Sequence, residues 1–331
     1  MILLLFIGHN SDGTINAKYP IFDSINLESG LSLNNITISY QTWGELSPSK
    51  DNVILICHHL TGNQYAADTS GETPIEGWWR DVIGPGKVID TTRYFVICSS
   101  VLGGCVGSTG PMSFSHEKKA DYRLDFPAIT IRDMVVAQEK LLRSLGVSNI
   151  LAVVGPSLGG MQAIEWGVMF PEFTRQVISL GAPFVQTPWS IAWNEMARLA
   201  IMGDPAWQNG NYIEQPKNGL SLSRYPFVLS CTHPDKCNNS LNKSVDNISA
   251  KLQFDQFPAQ KYLKYHCDKF DYDANSLIYL INAVNGHDIT RRRESICEKI
   301  NNSQVQFTLI GISNDMIYFP KRFEKRSGLL S

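Results

Sequence analysis

The segment LAVVGPSLGGMQAIEW, residues 151–166, constrains the fold of this chain more than any other stretch. A run of apolar, partly β-branched residues ends in Gly-Pro-Ser-Leu-Gly, and a helical pattern begins directly after it. This arrangement is typical of a nucleophilic serine on a tight strand-to-helix turn, where small flanking residues let neighbouring backbone approach closely. We therefore expect Ser157 to be a nucleophile. The alternative is a glycine-rich turn without chemistry.

The segments around this turn predict a parallel sheet with crossover helices. Apolar runs typical of buried strands occur at 53–60, 94–102, 149–155, 176–182 and 304–312. A shorter alternating pattern at 36–40 indicates a further strand. Helical spacing of apolar residues precedes Gly146, a candidate helix C-cap, and a second helical pattern ends at Pro171. Strands that alternate with helices are typical of α/β proteins.

A change of pattern divides the chain into three parts. We expect residues 1–182 to form the first part of the α/β core and residues 183–288 to form an inserted helical cap over the active-site edge. Residues 289–331 would complete the core in part, being C-terminally incomplete. The predicted cap helices are IAWNEMARLAIM, SVDNISAKLQFDQF and SLIYLINAV.

Composition excludes several classes of partner. The 331 residues carry a net charge of only −2, so no polybasic surface indicates nucleic acid or anionic lipid. The N-terminal MILLLFIG is too short to span a membrane. Seven scattered cysteines favour a reducing compartment, and we expect a cytoplasmic protein that acts on small molecules.

A serine hydroxyl needs a histidine base, and the base needs a carboxylate that orients it. Asp315 follows the last predicted strand, in SNDMIYFP, where the acid is expected in this architecture; alternatively it only caps a turn. The oxyanion requires backbone N–H donors. We expect these from Leu158, directly after the serine, and from Leu60, in HHLTG after the strand at 53–60.

Several long segments resemble the homoserine O-acetyltransferase family, which has the α/β-hydrolase fold and acts in methionine biosynthesis. The resemblance is distributed over residues 20–320. It is carried by SYQTWGEL, CHHLTG, GWWRDVIGPGKVIDTTRYFVICSSVLGGCVGSTGP, DFPAITIRDMVVAQEKLLRSLG, GPSLGGMQAIEW, DPAWQNGNY, GLSLSR and SNDMIYFP.

The resemblance implies acetyl-CoA as a co-substrate, L-homoserine as the acceptor, a double-displacement mechanism and no tightly bound cofactor. Ser157 would be acylated, Asp315 would orient the base, and the amides of Leu60 and Leu158 would bind the oxyanion. Arg224 of GLSLSR would bind a substrate carboxylate in a narrow tunnel. On composition alone, without the resemblance, a solvated surface arginine would be preferred. The family also implies a homodimer with cap helices at the interface.

The family's catalytic histidine comes in a Gly-His-Asp motif after the acid, and no histidine follows His287 in these 331 residues. We expect a chain shortened before that histidine, or one that uses another base. Gly286-His287-Asp288 precedes the acid strand and is in the wrong order for the base. His58 and His59 border the oxyanion loop, and one matches a family position expected to be structural.

A metal site is not expected, because the spacing of the candidate ligands fits no zinc pattern. The candidates are Cys231, His233, Cys237, His266 and Cys267. Three readings of function stay open: a homoserine O-acetyltransferase, a non-catalytic homologue without the histidine, and an enzyme of different specificity. The last group includes homoserine or serine O-succinyltransferases and serine hydrolases.

Overall fold

The computed structural model describes residues 20–70, 74–241 and 257–319. Within them the strands are β1 (Ile21–Asn26), β2 (Ser32–Thr37), β3 (Tyr40–Trp43), β4 (Val53–Cys57), β5 (Ile83–Gly84), β6 (Ile89–Asp90), β7 (Phe95–Ser99), β8 (Phe114–Ser115), β9 (Ala120–Asp121), β10 (Ala152–Pro156), β11 (Gln176–Leu180) and β12 (Gln306–Ile310). The α-helices are α1 (Ile131–Ser144), α2 (Leu158–Met169), α3 (Pro188–Met202), α4 (Lys217–Ser230), α5 (Pro234–Ser240), α6 (Pro258–Cys267), α7 (Ala274–Asn285) and α8 (Ile296–Asn301).

The central sheet has six described strands in the order β12-β11-β10-β4-β7-β3. Every neighbouring pair is parallel except β3 and β7. Helices α1 and α2 connect the strands, and all five residues of β4 are buried. The predicted α/β fold with a mostly parallel sheet is confirmed. Because β10 lies between β4 and β11, Ser157 emerges near the middle of the sheet's carboxyl edge.

One strand prediction was partly wrong. The pattern at 36–40 is divided between β2, which ends at Thr37, and β3, which begins at Tyr40. Ser39 lies in the break, where its backbone N–H donates to the Ser108 side chain at 2.9 Å. A hydrogen bond to a neighbouring loop therefore replaces a sheet hydrogen bond at this point, and an alternating pattern cannot reveal it.

The crossover helices have clear local signals. Thr130 caps α1 in a reciprocal capping box with Asp133. Gly146 follows the helix with a φ of +72°, as its predicted role at the C-terminus requires. The fully buried Trp166 of α2 donates its indole N–H to Gln138 of α1 at 2.8 Å, so the two helices are joined through a satisfied buried hydrogen bond.

A buried ion cluster holds α2 in place. The Glu165 carboxylate is almost inaccessible and lies 3.2 Å from Nε of Arg132 and 2.7 Å from Nη1 of Arg293. Glu28 accepts from Arg132 at 2.8 Å and from Arg291 at 2.6 Å. The cluster joins α1, α2, the β1–β2 hairpin and the segment after α7, so it supports the helix that begins directly after Ser157.

Helices α3–α7 intervene between β11 and β12. The predicted helices IAWNEMARLAIM and SLIYLINAV correspond to α3 and α7. The segment SVDNISAKLQFDQF lies outside the described residues except for Phe257, as do MILLLFIG and residues 320–331. None of the helices in the described part of the chain is long and apolar enough to cross a membrane.

Candidate active site

Ser157 occupies a strained turn between β10 and α2. Its φ of +53° and ψ of −119° lie in a region that residues with a side chain rarely adopt. The turn is fixed because the Ser157 N–H donates to the Leu180 carbonyl of β11 at 2.8 Å. Its half-buried hydroxyl has no hydrogen-bond partner among the described residues. The geometry is that of a nucleophile elbow.

Two glycines permit this turn. A Cβ at Gly159 would lie 2.0 Å from the carbonyl oxygen of Cys57, and one at Gly155 would lie 2.4 Å from the carbonyl carbon of Gly159. Both neighbours are backbone atoms that no side-chain rotation can move. The glycines of G-x-S-x-G are therefore needed so that the turn can pack against the end of β4.

The two expected oxyanion donors flank the serine. Leu158 is the first residue of α2 and is fully buried, and Leu60 lies in the loop after β4. Neither backbone N–H has an acceptor within the described part of the chain. A buried N–H without an acceptor is uncommon, and the N-terminus of α2 adds a favourable field for negative charge. Both amides could therefore stabilise an oxyanion formed on a group attached to Ser157.

Asp315 lies in the turn after β12. Its Oδ1 accepts the N–H groups of Ile317 and Tyr318, each at 2.8 Å. Its Oδ2 faces Gly181 at the end of β11, 3.7 Å from where a Cβ would lie, and accepts no hydrogen bond from a described residue. The carboxylate thus caps its turn with one oxygen and leaves the other free to accept an imidazole N–H.

A cavity of about 400 Å³ opens beside Ser157. Its lining residues are His59, Leu60, Thr61, Ser157, Asn194, Arg224, Phe227, Val228, Cys231, Thr232, Phe270, Leu277, Val284, Ile317 and Tyr318. The walls are mostly apolar, as expected for a small-molecule site. A larger depression of about 600 Å³ lies between the β1–β2 and β8–β9 hairpins. It contains none of the expected catalytic residues.

Arg224 brings a positive charge into this cavity. It lies on α4 with its guanidinium 4.8 Å from the centre of the Phe270 ring. Its Nε is buried and unpaired, and the side chain donates no hydrogen bond to another described residue. Its position in the cavity wall favours the predicted binding role over a solvated surface arginine. A guanidinium with free donors in an apolar cavity can bind a carboxylate.

The two histidines of the oxyanion loop differ in their surroundings. His58 is fully buried, and both of its ring nitrogens have hydrogen-bond partners. Burial lowers its pKa to about 4. His59 lines the cavity with its ring edge against Trp78, 5.1 Å between centroids. Burial, and then the charge of Arg224, lower the pKa of His59, so its ring is neutral at pH 7.

The Gly286-His287-Asp288 sequence does not contribute to the cavity. His287 is buried, and its Nε2 lies 3.1 Å from the Pro183 carbonyl oxygen. Burial lowers its pKa to about 3. None of the described histidines hydrogen-bonds to Ser157, so the described residues do not complete a Ser-His-Asp hydrogen-bonded triad.

The five residues considered as metal ligands do not converge. Within the described ranges, no group of three or more histidine, cysteine and acidic side chains is placed to hold a metal ion. Cys231 instead lines the cavity. Sequence reasoning did not place Cys231, Phe270 or Asn194 in the cavity, because helical periodicity does not reveal which face of an inserted helix meets the catalytic edge.

Comparison with known proteins identifies the family. Residues 52–321 match the model of the alpha/beta hydrolase fold. The homoserine O-acetyltransferase of Carboxydothermus hydrogenoformans is 39% identical over 318 residues, which cover 94% of this chain and 84% of that protein. The chain belongs to the homoserine O-acetyltransferase family. The Methanohalobium evestigatum relative is also 39% identical, and there the match covers 94% of this chain but 65% of that protein.

Solved structures agree with this assignment. The homoserine O-acetyltransferase from Bacillus anthracis superimposes with a TM-score of 0.86 at 29% identity, covering 95% of this chain and 87% of that chain. Esterase E22 superimposes with a TM-score of 0.84 at 28% identity, covering 95% and 89%. Proteins of this fold that superimpose on the chain are thus named both as transferases and as esterases.

Proposed function

We propose that this chain transfers an acetyl group from acetyl-CoA to the hydroxyl of L-homoserine, through an acetyl-Ser157 intermediate, as a step of methionine biosynthesis. The observation that carries the proposal is the strained Ser157 turn, flanked by two unpaired N–H groups and open to the cavity that contains Arg224. The names of the relatives support the same reaction.

The first half-reaction forms the acyl-enzyme. The Ser157 oxygen attacks the thioester carbonyl and gives up its proton to a base, and the N–H groups of Leu60 and Leu158 stabilise the tetrahedral oxyanion. When the intermediate collapses, the carbon–sulfur bond breaks and CoA leaves as its thiol after it takes up the proton. Asp315 would orient an imidazole base through its free Oδ2. Among the described histidines, His59 lines the cavity.

The second half-reaction transfers the acetyl group. The homoserine hydroxyl attacks the Ser157 ester, the base takes the hydroxyl proton and returns it to Ser157, and O-acetylhomoserine leaves. Arg224 would hold the carboxylate of homoserine and so place its hydroxyl at the ester. An apolar cavity favours this acceptor over water, since bulk water would otherwise hydrolyse the intermediate.

Hydrolysis of an acyl ester is the second candidate function. The similarity to a protein named esterase E22 favours it. A serine nucleophile with oxyanion donors can also carry out ester hydrolysis. A succinyl donor, a serine acceptor and a non-catalytic homologue are further alternatives. The experiment below separates acylation from the absence of chemistry, and the fate of the acyl group separates transferase from esterase.

We also propose that residues 183–288 act as a cap over the active-site edge. In addition, we propose that two copies of the chain associate through α3 and α4. Support comes from an exposed apolar stripe: Met196 and Leu199 on α3 are 49% and 56% exposed, and Leu222 on α4 is 51% exposed. Sedimentation of the purified chain should show a dimer, and Leu199→Asp should shift it to monomer. A cytoplasmic location stays a prediction from composition.

The acetyl-transfer proposal is tested by acylation of the purified chain with acetyl-CoA, followed by intact-protein mass spectrometry and peptide mapping. We expect one acetyl adduct on Ser157, absent in Ser157→Ala and discharged when L-homoserine is added. Circular dichroism of both proteins controls for folding. A folded protein that never carries the adduct would refute the proposal.

A further inference from the structure

His58 forms two hydrogen bonds that define its protonation. Its Nε2 lies 3.1 Å from the Val101 backbone N–H, and its Nδ1 lies 2.7 Å from the carbonyl oxygen of its neighbour His59. A backbone N–H can only donate, so Nε2 must be the unprotonated, accepting nitrogen. The proton therefore resides on Nδ1, which donates to the His59 carbonyl. The ring is neutral and has no free nitrogen for proton transfer.

The carbonyl that receives this hydrogen bond belongs to the His59–Leu60 peptide unit, whose N–H is one of the two expected oxyanion donors. In a trans peptide unit, the C=O of His59 and the N–H of Leu60 lie in one plane and point in opposite directions. A second donor, the Gly62 N–H, binds the same carbonyl at 2.9 Å. With its oxygen held toward the His58 ring, the unit directs the Leu60 N–H away from that ring. His59 and Leu60 line the cavity that Ser157 also lines.

Packing keeps the ring against this loop. A Cβ at Gly62 would lie 2.9 Å from Cβ of His58 and 3.2 Å from its Nδ1, so the loop passes directly over the imidazole. Tyr272 lies between α6 and α7, and its hydroxyl donates to the Leu60 carbonyl at 3.4 Å. Two successive carbonyls of the loop are thus bound by side chains from different parts of the fold.

We propose that His58 is a positioning residue for the oxyanion hole, which fixes the Leu60 N–H through the His59 carbonyl. This inference rests on the proposed function, because it assumes that the Leu60 amide stabilises an oxyanion. Such donors accelerate a reaction only if they are held in place before charge develops. His58 itself neither contacts the substrate nor transfers a proton.

The test separates the two hydrogen bonds of the ring. In His58→Asn the amide can occupy the Nδ1 position and keep the donation to His59, whereas in His58→Gln it reaches the Nε2 position and keeps only the contact with Val101. Losing one oxyanion donor costs about 10²–10³-fold in turnover, and misplacing it should cost roughly 10–100-fold. We expect this loss in the Ser157 acetylation rate of His58→Gln, with His58→Asn within about 5-fold of the original chain.

The controls make each outcome decisive. His287→Asn alters another buried histidine outside the cavity and should leave the acetylation rate unchanged. The homoserine concentration that half-saturates discharge of the preformed acetyl-enzyme should stay constant in all variants, because His58 does not face the acceptor. If the unaltered chain is acetylated and His58→Gln reacts as fast, the positioning role is wrong. If the unaltered chain is never acetylated, the proposed function fails, and the inference fails with it.

The tautomer of His58 can be measured directly in the unaltered protein. Nitrogen-15 NMR of labelled histidine should show His58 as the neutral Nδ1–H tautomer at pH 7 and still neutral at pH 5. A proton on Nε2 would contradict the hydrogen-bond pattern and overturn the proposal.

Discussion

Acid should destabilise this protein through its buried histidines. His58 and His287 are enclosed as neutral rings, and burial lowers their pKa values to about 4 and about 3. In the unfolded chain a histidine titrates near pH 6.5. Between these values the unfolded state binds more protons than the folded state, so stability is lost as the pH falls from about 6.5 toward 4.

The size of the effect follows from proton linkage. At pH 5 each ring should cost roughly 2 kcal/mol relative to pH 7, and the two together about 4 kcal/mol. This is a large part of the 5–15 kcal/mol that is usual for a folded domain. Burial raises the pKa values of Asp133 and Glu165, which acts in the opposite direction. The carboxylates contribute equally to the original chain and to a histidine variant. Their contribution therefore cancels when the pH dependence of the unfolding free energy is compared between the two proteins.

Urea unfolding at pH 7, 6 and 5 measures this dependence. We compare the original chain with His287→Asn, whose amide cannot titrate. The loss of unfolding free energy between pH 7 and pH 5 should be smaller in the variant by roughly 2 kcal/mol, whatever its stability at pH 7. Equal losses in the two proteins would show that His287 is already protonated or exposed when folded, and the assignment of neutral buried rings would be refuted.

Five further substitutions, one of them a matched control, probe the turn, the site and the core. Gly159→Ala would bring a Cβ within 2.0 Å of the carbonyl oxygen at the end of β4, and thermal unfolding should show a loss of about 3 kcal/mol. Gly286→Ala, where the nearest atom is 3.5 Å away, should be close to neutral. Arg224→Met should raise the KM for homoserine roughly 10–100-fold in steady-state assays, without slowing acetylation of Ser157 in a single turnover. Asp315→Asn should lower turnover by about 10⁴-fold, and an unchanged rate would exclude it as the acid. Glu165→Leu should cost about 3–5 kcal/mol in urea unfolding, because Arg132 and Arg293 both lose this buried carboxylate and Arg132 keeps its ion pair with Glu28.

The sheet and the serine turn could be predicted because their signals are local. A continuous apolar run such as VILIC is buried throughout, as a central parallel strand must be. G-x-S-x-G between a strand and a helix leaves little freedom, since Gly155 and Gly159 face backbone atoms. The capping box at Thr130 and the positive φ of Gly146 are equally local.

The cavity could not be predicted in the same way. Arg224 lies midway along α4, Cys231 directly follows that helix, and Phe270 precedes α7. Only the packing of these helices brings the three residues to the cavity beside Ser157. The sequence also could not distinguish His58 from His59. The loop turns one ring into the core and the other into the cavity, and adjacent letters do not encode that difference.

The fate of the acetyl group tests the central proposal most directly. Acetyl-CoA carrying a labelled acetyl group is incubated with the chain and L-homoserine, and the products are separated and counted, with Ser157→Ala as the control. The account predicts that the label appears mainly in O-acetylhomoserine and only in the presence of Ser157. Label found only as acetate would contradict it in favour of an esterase, and label left on CoA by a folded protein would contradict acetyl transfer from acetyl-CoA.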